Sequence, residues 1–204
     1  MSGLYFYRCA FTEKIRLKKY KLRRMELHLI IGPMFAGKST ELIRIARRYI
    51  SIGKNILVVN HSLNNRYNTD QITTHNQNVF EGCVVVSNLA DVKSNDIDNA
   101  DVILIEELQF FPDAFQTVID WVEKKSKIVI AAGLDGDSNR NMFGDVLRLI
   151  PYSNTVTKMS SLCKLCGDGT LAHFTKKKIP ACQIISVGAE DIYEAVCRKH
   201  LINH

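Results

Sequence analysis

Three short stretches of this 204-residue chain carry side chains suited to phosphate, proton and metal chemistry. Gly32, Pro33, Met34, Phe35, Ala36, Gly37, Lys38 and Ser39 match the pattern GxxxxGK[ST]. Glycines there let successive backbone N–H groups curl around phosphates, and the helix that follows points its N-terminus at the same charge. Lys38 would reach the outer phosphates of a nucleoside triphosphate, and Ser39 would offer its hydroxyl to Mg²⁺. Glu106 and Glu107 end an apolar run at 101–105. Two acids at the C-terminal end of a central strand stand where open α/β sheets bind ligands; one can hold Mg²⁺ and its neighbour can accept a proton. Cys163 and Cys166 form a CxxC, and Cys197 and His200 a CxxH 30 residues further on. Three thiolates and an imidazole complete a tetrahedral Zn²⁺ set of the structural kind, with no position left for substrate. Cys9, Cys83 and Cys182 lack such spacing and read as free cysteines.

Strand-like and helical patterns alternate from residue 27 onward, which predicts an α/β fold with a mostly parallel, P-loop NTPase-like sheet. Residues 27–31 read as a buried strand, 32–37 as a loop, and 38–52 as a helix whose apolar face holds Leu42, Ile45, Ala46 and Tyr49. Further strands are expected at 55–59, 79–86, 101–105 and 127–132, with a helix at 113–125. After Pro151 the pattern changes to β-like segments at 155–162 and 182–187 around the Cys pairs. The expected organisation is a basic extension at 1–24, the α/β part at 25–151 and a small zinc-stapled unit at 152–204.

The formal charge of +6 invites a nucleic-acid reading until it is resolved by position. Residues 1–24 hold eight of the 27 Lys and Arg and one of the 21 Asp and Glu, so the remaining 180 residues carry a net −1. The main body is therefore not a polyanion clamp. No apolar run approaches the roughly 18–20 residues that span a bilayer. The extension reads as a segment without a fixed fold; a targeting role, or a start at Met25, are the other readings.

The chain resembles the type II thymidine kinases, the cellular and large-DNA-virus kind. The likeness runs from about Glu26 to His200 and rests on LIIGPMFAGKSTELIR (29–44), NNRY (64–67), TH (74–75), QFFPD (109–113), LDG (134–136), NMFG (141–144) and the two zinc pairs. It implies transfer of the ATP γ-phosphate to the thymidine 5′-hydroxyl with Mg²⁺, a structural Zn²⁺, a cytoplasmic homotetramer and feedback inhibition by dTTP. It places the general base on Glu107 and the nucleotide contacts on residues 32–39 together with Asn64, Asn65, Arg66, Glu106, Leu108 and Gln109. The thymine base would be enclosed by a lasso of Ile184, Ile185, Ser186, Val187 and Gly188, closed by Tyr193. Met34, Phe110, Leu134, Ser138, Phe143 and Thr175 would line the pocket.

Four positions depart from the family pattern. Glu106 replaces the usual Asp, which shifts the carboxylate outward. Leu108 replaces a small residue, with the expectation that it crowds nucleoside or phosphate. Ser138 replaces an aromatic, and His200 replaces a frequent Cys. Alternative readings are a zinc-containing P-loop ATPase acting with nucleic acid, a nucleotide sensor, or a weakly active kinase with altered nucleoside preference.

Overall fold

The computed structural model describes residues 24–63, 71–73, 79–178 and 192–202, with the backbone course alone for 71–73 and 79–81. Strand β1 (Glu26–Ile31) leads into helix α1 (Lys38–Ile50), which returns to strand β2 (Ile56–His61). A hairpin of β3 (Gln71–Thr73) and β4 (Val79–Glu81) stands apart from the main sheet. Strand β5 (Val84–Val86), helix α2 (Ser94–Asn99), strand β6 (Val102–Ile105), helix α3 (Ala114–Ile119) and strand β7 (Ile128–Gly133) complete the α/β alternation. With β8 (Thr155–Lys158) the sheet runs β5-β2-β6-β7-β1-β8, and every neighbouring pair is parallel.

Parallel strands need crossovers, so helices cover both faces and the central strands become apolar throughout. VILI of β6 and IVIAAG of β7 are buried at every residue. One face packs Leu42, Ile43 and Ala46 of α1 on Ile30, Val58, Leu104 and Ile130. The other gathers Leu29, Val59, Ile103, Val129, Phe111, Val118 and Leu149. At about 1.5–3 kcal/mol per fully buried aliphatic side chain, these two layers are the main force holding the sheet ends in register. Below the sheet, buried Lys127 donates to the carbonyls of Asp98 (3.0 Å) and Ala100 (2.7 Å), which satisfies its charge away from water.

Two expectations need correction. The run 79–86 is not one strand: β4 finds its partner in β3, whereas β5 pairs with β2, and residues 82–83 separate them. Residues 155–158 belong to the main sheet, not to the Cys-bearing part, because β8 pairs with β1 from His28↔Thr155 to Ile31↔Lys158. After Met159 the chain enters two further short antiparallel pairs: β9 (Ser161–Leu162) with β10 (Leu171–Ala172), and β11 (Phe174–Lys177) with β12 (Tyr193–Val196). Helix α4 (Arg198–Ile202) follows directly.

Candidate functional site

The loop 32–37 joins β1 to α1 at the carboxyl end of the sheet. Gly32 (φ 147°) lies so close to the chain leaving β8 that a Cβ there would stand 2.5 Å from the Met159 carbonyl oxygen. No larger residue fits without moving backbone. Phe35 turns the loop through a left-handed conformation (φ 63°), and Gly37 precedes the first turn of α1. Pro33 offers its carbonyl to the Lys38 ammonium at 2.8 Å, so the cation already curls over the loop it belongs to. Met34 and Ala36 are buried.

Ser39 donates its hydroxyl to Glu106 Oε1 across 67 residues. Glu106 is only 3% exposed. A hydroxyl and a carboxylate facing each other are hard oxygen donors of the kind Mg²⁺ takes, so the longer Glu does reach the position that the resemblance gives to Asp.

Glu107 has a left-handed backbone (φ 55°, ψ 45°) and caps the 3-10 turn Leu108–Phe110. That abrupt reversal separates the fates of successive side chains. Glu107 stays half-buried at the sheet edge, while Leu108 is fully buried in the core. The expectation that the Leu108 side chain crowds a ligand is therefore corrected: it packs inward against the β7 edge, where a Cβ on Gly133 would lie 3.3 Å from its own. Gln109 donates through Nε2 to Glu107 Oε2 at 2.5 Å and accepts the Leu134 N–H on Oε1 at 2.9 Å. It thus holds the carboxylate against the end of β7.

A second layer surrounds these groups. Met34, Leu134 and Tyr193 form a buried apolar cluster with Phe35, Phe143 and Ile192 packed against it. The Met34 N–H donates to Thr175 Oγ1 at 3.0 Å. Phe110 stands edge-on to Phe143 with centroids 5.5 Å apart. Ser138 sits half-buried in the turn closed by the Gly136–Met142 bridge, which Asp137 ties by accepting the N–H groups of Asn139 and Asn141 at 2.8 Å each. The structure thus gathers Met34, Phe110, Leu134, Phe143, Thr175 and Tyr193 beside the loop. Asn64, Asn65, Arg66, Ile184, Ile185, Ser186, Val187 and Gly188 lie outside the described residues.

Cys163, Cys166, Cys197 and His200 bring their ligand atoms within 4.8 Å of one another. The Cys166 and Cys197 sulfurs are 3.8 Å apart, and His200 Nδ1 lies 3.3–3.5 Å from the three thiols. A tetrahedral ion with Zn–S arms of about 2.3 Å has edges of about 3.8 Å between sulfurs and slightly less to nitrogen. The donor set and its spacing therefore fit Zn²⁺. Burial opposes ionisation of Cys163, but N–H groups of Cys197 and Cys166, with His200 beside it, bring the thiol down to about 6.

Three contributors escaped the sequence reading. Gly144 (φ 58°) presses on the turn after Glu107, since a Cβ would stand 2.4 Å from the Gln109 carbonyl oxygen. Asp113 accepts the N–H groups of Leu89 (3.0 Å) and Ala90 (2.8 Å), fixing the residues after β5 to the start of α3. His61 ends β2 in contact with Phe110 and Phe111. NMFG and QFFPD contain the first two as letters, but their contacts depend on strands far apart in sequence.

A parallel six-stranded sheet alternating with helices, with a glycine loop, two acids and an apolar cluster at its carboxyl edge and a Cys₃His set beside them, defines an α/β protein with an appended zinc-type unit. Residues 25–201 match the family model described as thymidine kinase, and the chain belongs to that family. A thymidine kinase of Oryza sativa subsp. japonica is 37% identical over 183 residues, covering 87% of this chain and 66% of its own. That of Yaba monkey tumor virus is 40% identical over 172 residues, covering 84% and 92%. That of vaccinia virus (strain Western Reserve) is 41% identical over 180 residues, covering 87% and 97%.

Proposed function

We propose that this chain transfers the γ-phosphoryl group of ATP to the 5′-hydroxyl of thymidine, giving dTMP. The observation that carries the reading is the tie from Glu107 through Gln109 to the Leu134 N–H of the Met34–Leu134–Tyr193 cluster, next to Glu106, which accepts the Ser39 hydroxyl of the phosphate loop. Glu107 would accept the hydroxyl proton as that oxygen attacks in line. Lys38 and the loop N–H groups would offset charge on the transferred group, and the two substrates would be held in an attacking geometry. Ser39 and Glu106 would hold Mg²⁺, which supplies charge neutralisation on the phosphates. In the same reading Asn64, Asn65 and Arg66 meet the nucleotide, and residues 184–188 close over the base.

The division of labour follows: the main sheet through β8 carries the phosphate site, the Cys/His part after Met159 helps enclose the nucleoside and carries a structural Zn²⁺, and residues 1–24 lie outside the family match. Family membership also supports a cytoplasmic homotetramer restrained by dTTP; among the described residues no helix is long and apolar enough to cross a membrane. The test is direct. Full-length protein with thymidine and Mg-ATP should form dTMP, whereas ATP hydrolysis stimulated by DNA or RNA without dTMP would favour the nucleic-acid reading.

A further inference from the structure

His61 lies outside every motif that pointed to the site. It is 5% exposed at the last position of β2, yet its ring contacts are unusually complete. Nδ1 receives the Leu63 N–H at 3.0 Å. A backbone N–H only donates, so Nδ1 must carry a lone pair. The proton therefore sits on Nε2, which faces the Ser87 carbonyl at 3.1 Å. One tautomer, neutral, satisfies both bonds, and together they fix the plane of the ring. The adjacent Ser62 and Ser87 hydroxyls, 2.7 Å apart, close the same junction between the ends of β2 and β5.

The ring so fixed is the first of three in a row. Its centroid is 5.7 Å from that of Phe110, and Phe110 is 5.5 Å from Phe143 at 90°. Phe111 packs on it edge-on at 4.7 Å and anchors the other side of the turn in the core. Phe110 directly follows the Glu107–Gln109 pair, so the angle at which its ring meets the apolar cluster depends on what stands behind it. We propose that His61 is a positioning residue for the nucleoside: its locked imidazole backs Phe110 and thereby sets the aromatic wall of the pocket. The inference rests on the functional reading above, since it assigns the Phe110–Phe143 wall to the nucleoside and not to the nucleotide.

The groups facing the imidazole define what acid should do. Burial lowers its pKa below the ordinary 6.5, against the raising pull of the Ser87 carbonyl and of the Glu107 and Asp113 carboxylates. Once protonated, the ring presents a donor to the Leu63 N–H and loses the bond that sets its plane.

The experiment compares full-length wild type, His61→Ala and His61→Phe with a panel of four deoxynucleosides, thymidine included, measuring KM for each substrate, kcat and Tm. His61→Ala should raise KM for the nucleoside roughly three- to tenfold, the worth of a lost aromatic pair, with KM for ATP within about twofold. His61→Phe keeps a ring behind Phe110 but not the polar bonds, so it should restore nucleoside KM while its Tm stays low. Wild-type nucleoside KM should rise as pH falls through the lowered folded pKa, because a charged imidazole is disfavoured in the buried place behind Phe110, and that rise should vanish in His61→Phe, whose ring cannot take up a proton. Nucleoside KM unchanged in His61→Ala despite a lowered Tm would overturn the proposal and leave a merely structural histidine. If wild type prefers another deoxynucleoside, the thymidine reading falls and the His61 comparison is made with the preferred one. If wild type accepts none, the nucleoside reading fails and the proposal falls with it.

Discussion

The Thr175 hydroxyl accepts the Met34 N–H at 3.0 Å across 141 residues of sequence, so the part of the chain that holds the Cys₃His set also holds a backbone amide of the phosphate loop. Thr175→Val keeps the shape and removes the acceptor. A buried N–H left without it costs about 1–3 kcal/mol. The variant should melt at lower temperature and bind ATP more weakly, measured by thermal unfolding and calorimetry. Normal ATP affinity would show that the loop holds its shape without this bond.

Glu107→Gln should lose at least about a hundredfold in kcat, the lower range for removing a general base, while retaining ATP binding. Gln109→Leu tests the support of that base. It breaks both the Glu107 contact and the Leu134 N–H contact, so kcat should fall with a smaller change in ATP affinity. Near-normal turnover in Glu107→Gln would move the base elsewhere.

Metal analysis of purified protein should find about one Zn²⁺ per chain, and Cys163→Ser should reduce it. Because site formation and folding are linked, a strong chelator should lower Tm and weaken nucleoside binding. Undiminished Tm after complete zinc removal would contradict a structural role for the site.

Gly144→Ala places a methyl group where the Gln109 carbonyl oxygen stands 2.4 Å away, in a backbone region that disfavours side chains. The turn bearing Glu107 and Gln109 must shift. Expected are a lower Tm and a loss of kcat that exceeds the loss of ATP affinity, read from steady-state kinetics beside ATP titration.

Acid should destabilise the fold through His61. Its folded pKa is depressed by burial, so the unfolded chain binds more protons between the two values. The stability owed to the neutral ring is complete above about 6.5 and declines as pH falls through that value toward the lower folded one. Tm measured from pH 7.5 to 5.0 should fall less steeply in His61→Phe than in wild type. Equal slopes would mean that His61 does not titrate differently on folding.

How much of this was legible in the sequence depended on distance along the chain. The loop 32–39, the acids ending β6 and the CxxC and CxxH pairs are local patterns, and local geometry keeps such residues together wherever the chain goes. The central strands were equally plain, because parallel pairing buries both faces and leaves continuous apolar runs. Strand β8 departs from the sequence pattern for the opposite reason. All four of its residues are exposed at a sheet edge, so nothing in Thr155–Lys158 advertises pairing with β1. Leu108 differs from its expected place beside the ligand because the left-handed turn at Glu107 reverses side-chain direction within one residue. His61 carried no signal at all, since its partners Leu63, Ser87, Phe110 and Phe111 meet only when β2, β5 and β6 lie side by side.

Gly32 and Met159 carry a mechanical consequence. The Met159 N–H donates to the Ile31 carbonyl at 2.8 Å, and its own carbonyl sits over Gly32, two residues before β9 begins. These contacts join the start of the Cys/His part to the start of the phosphate loop. A shift of the Cys/His part at Met159 would therefore be felt first at Gly32, so the shape of the apolar cluster and the shape of the phosphate loop are linked through one backbone contact.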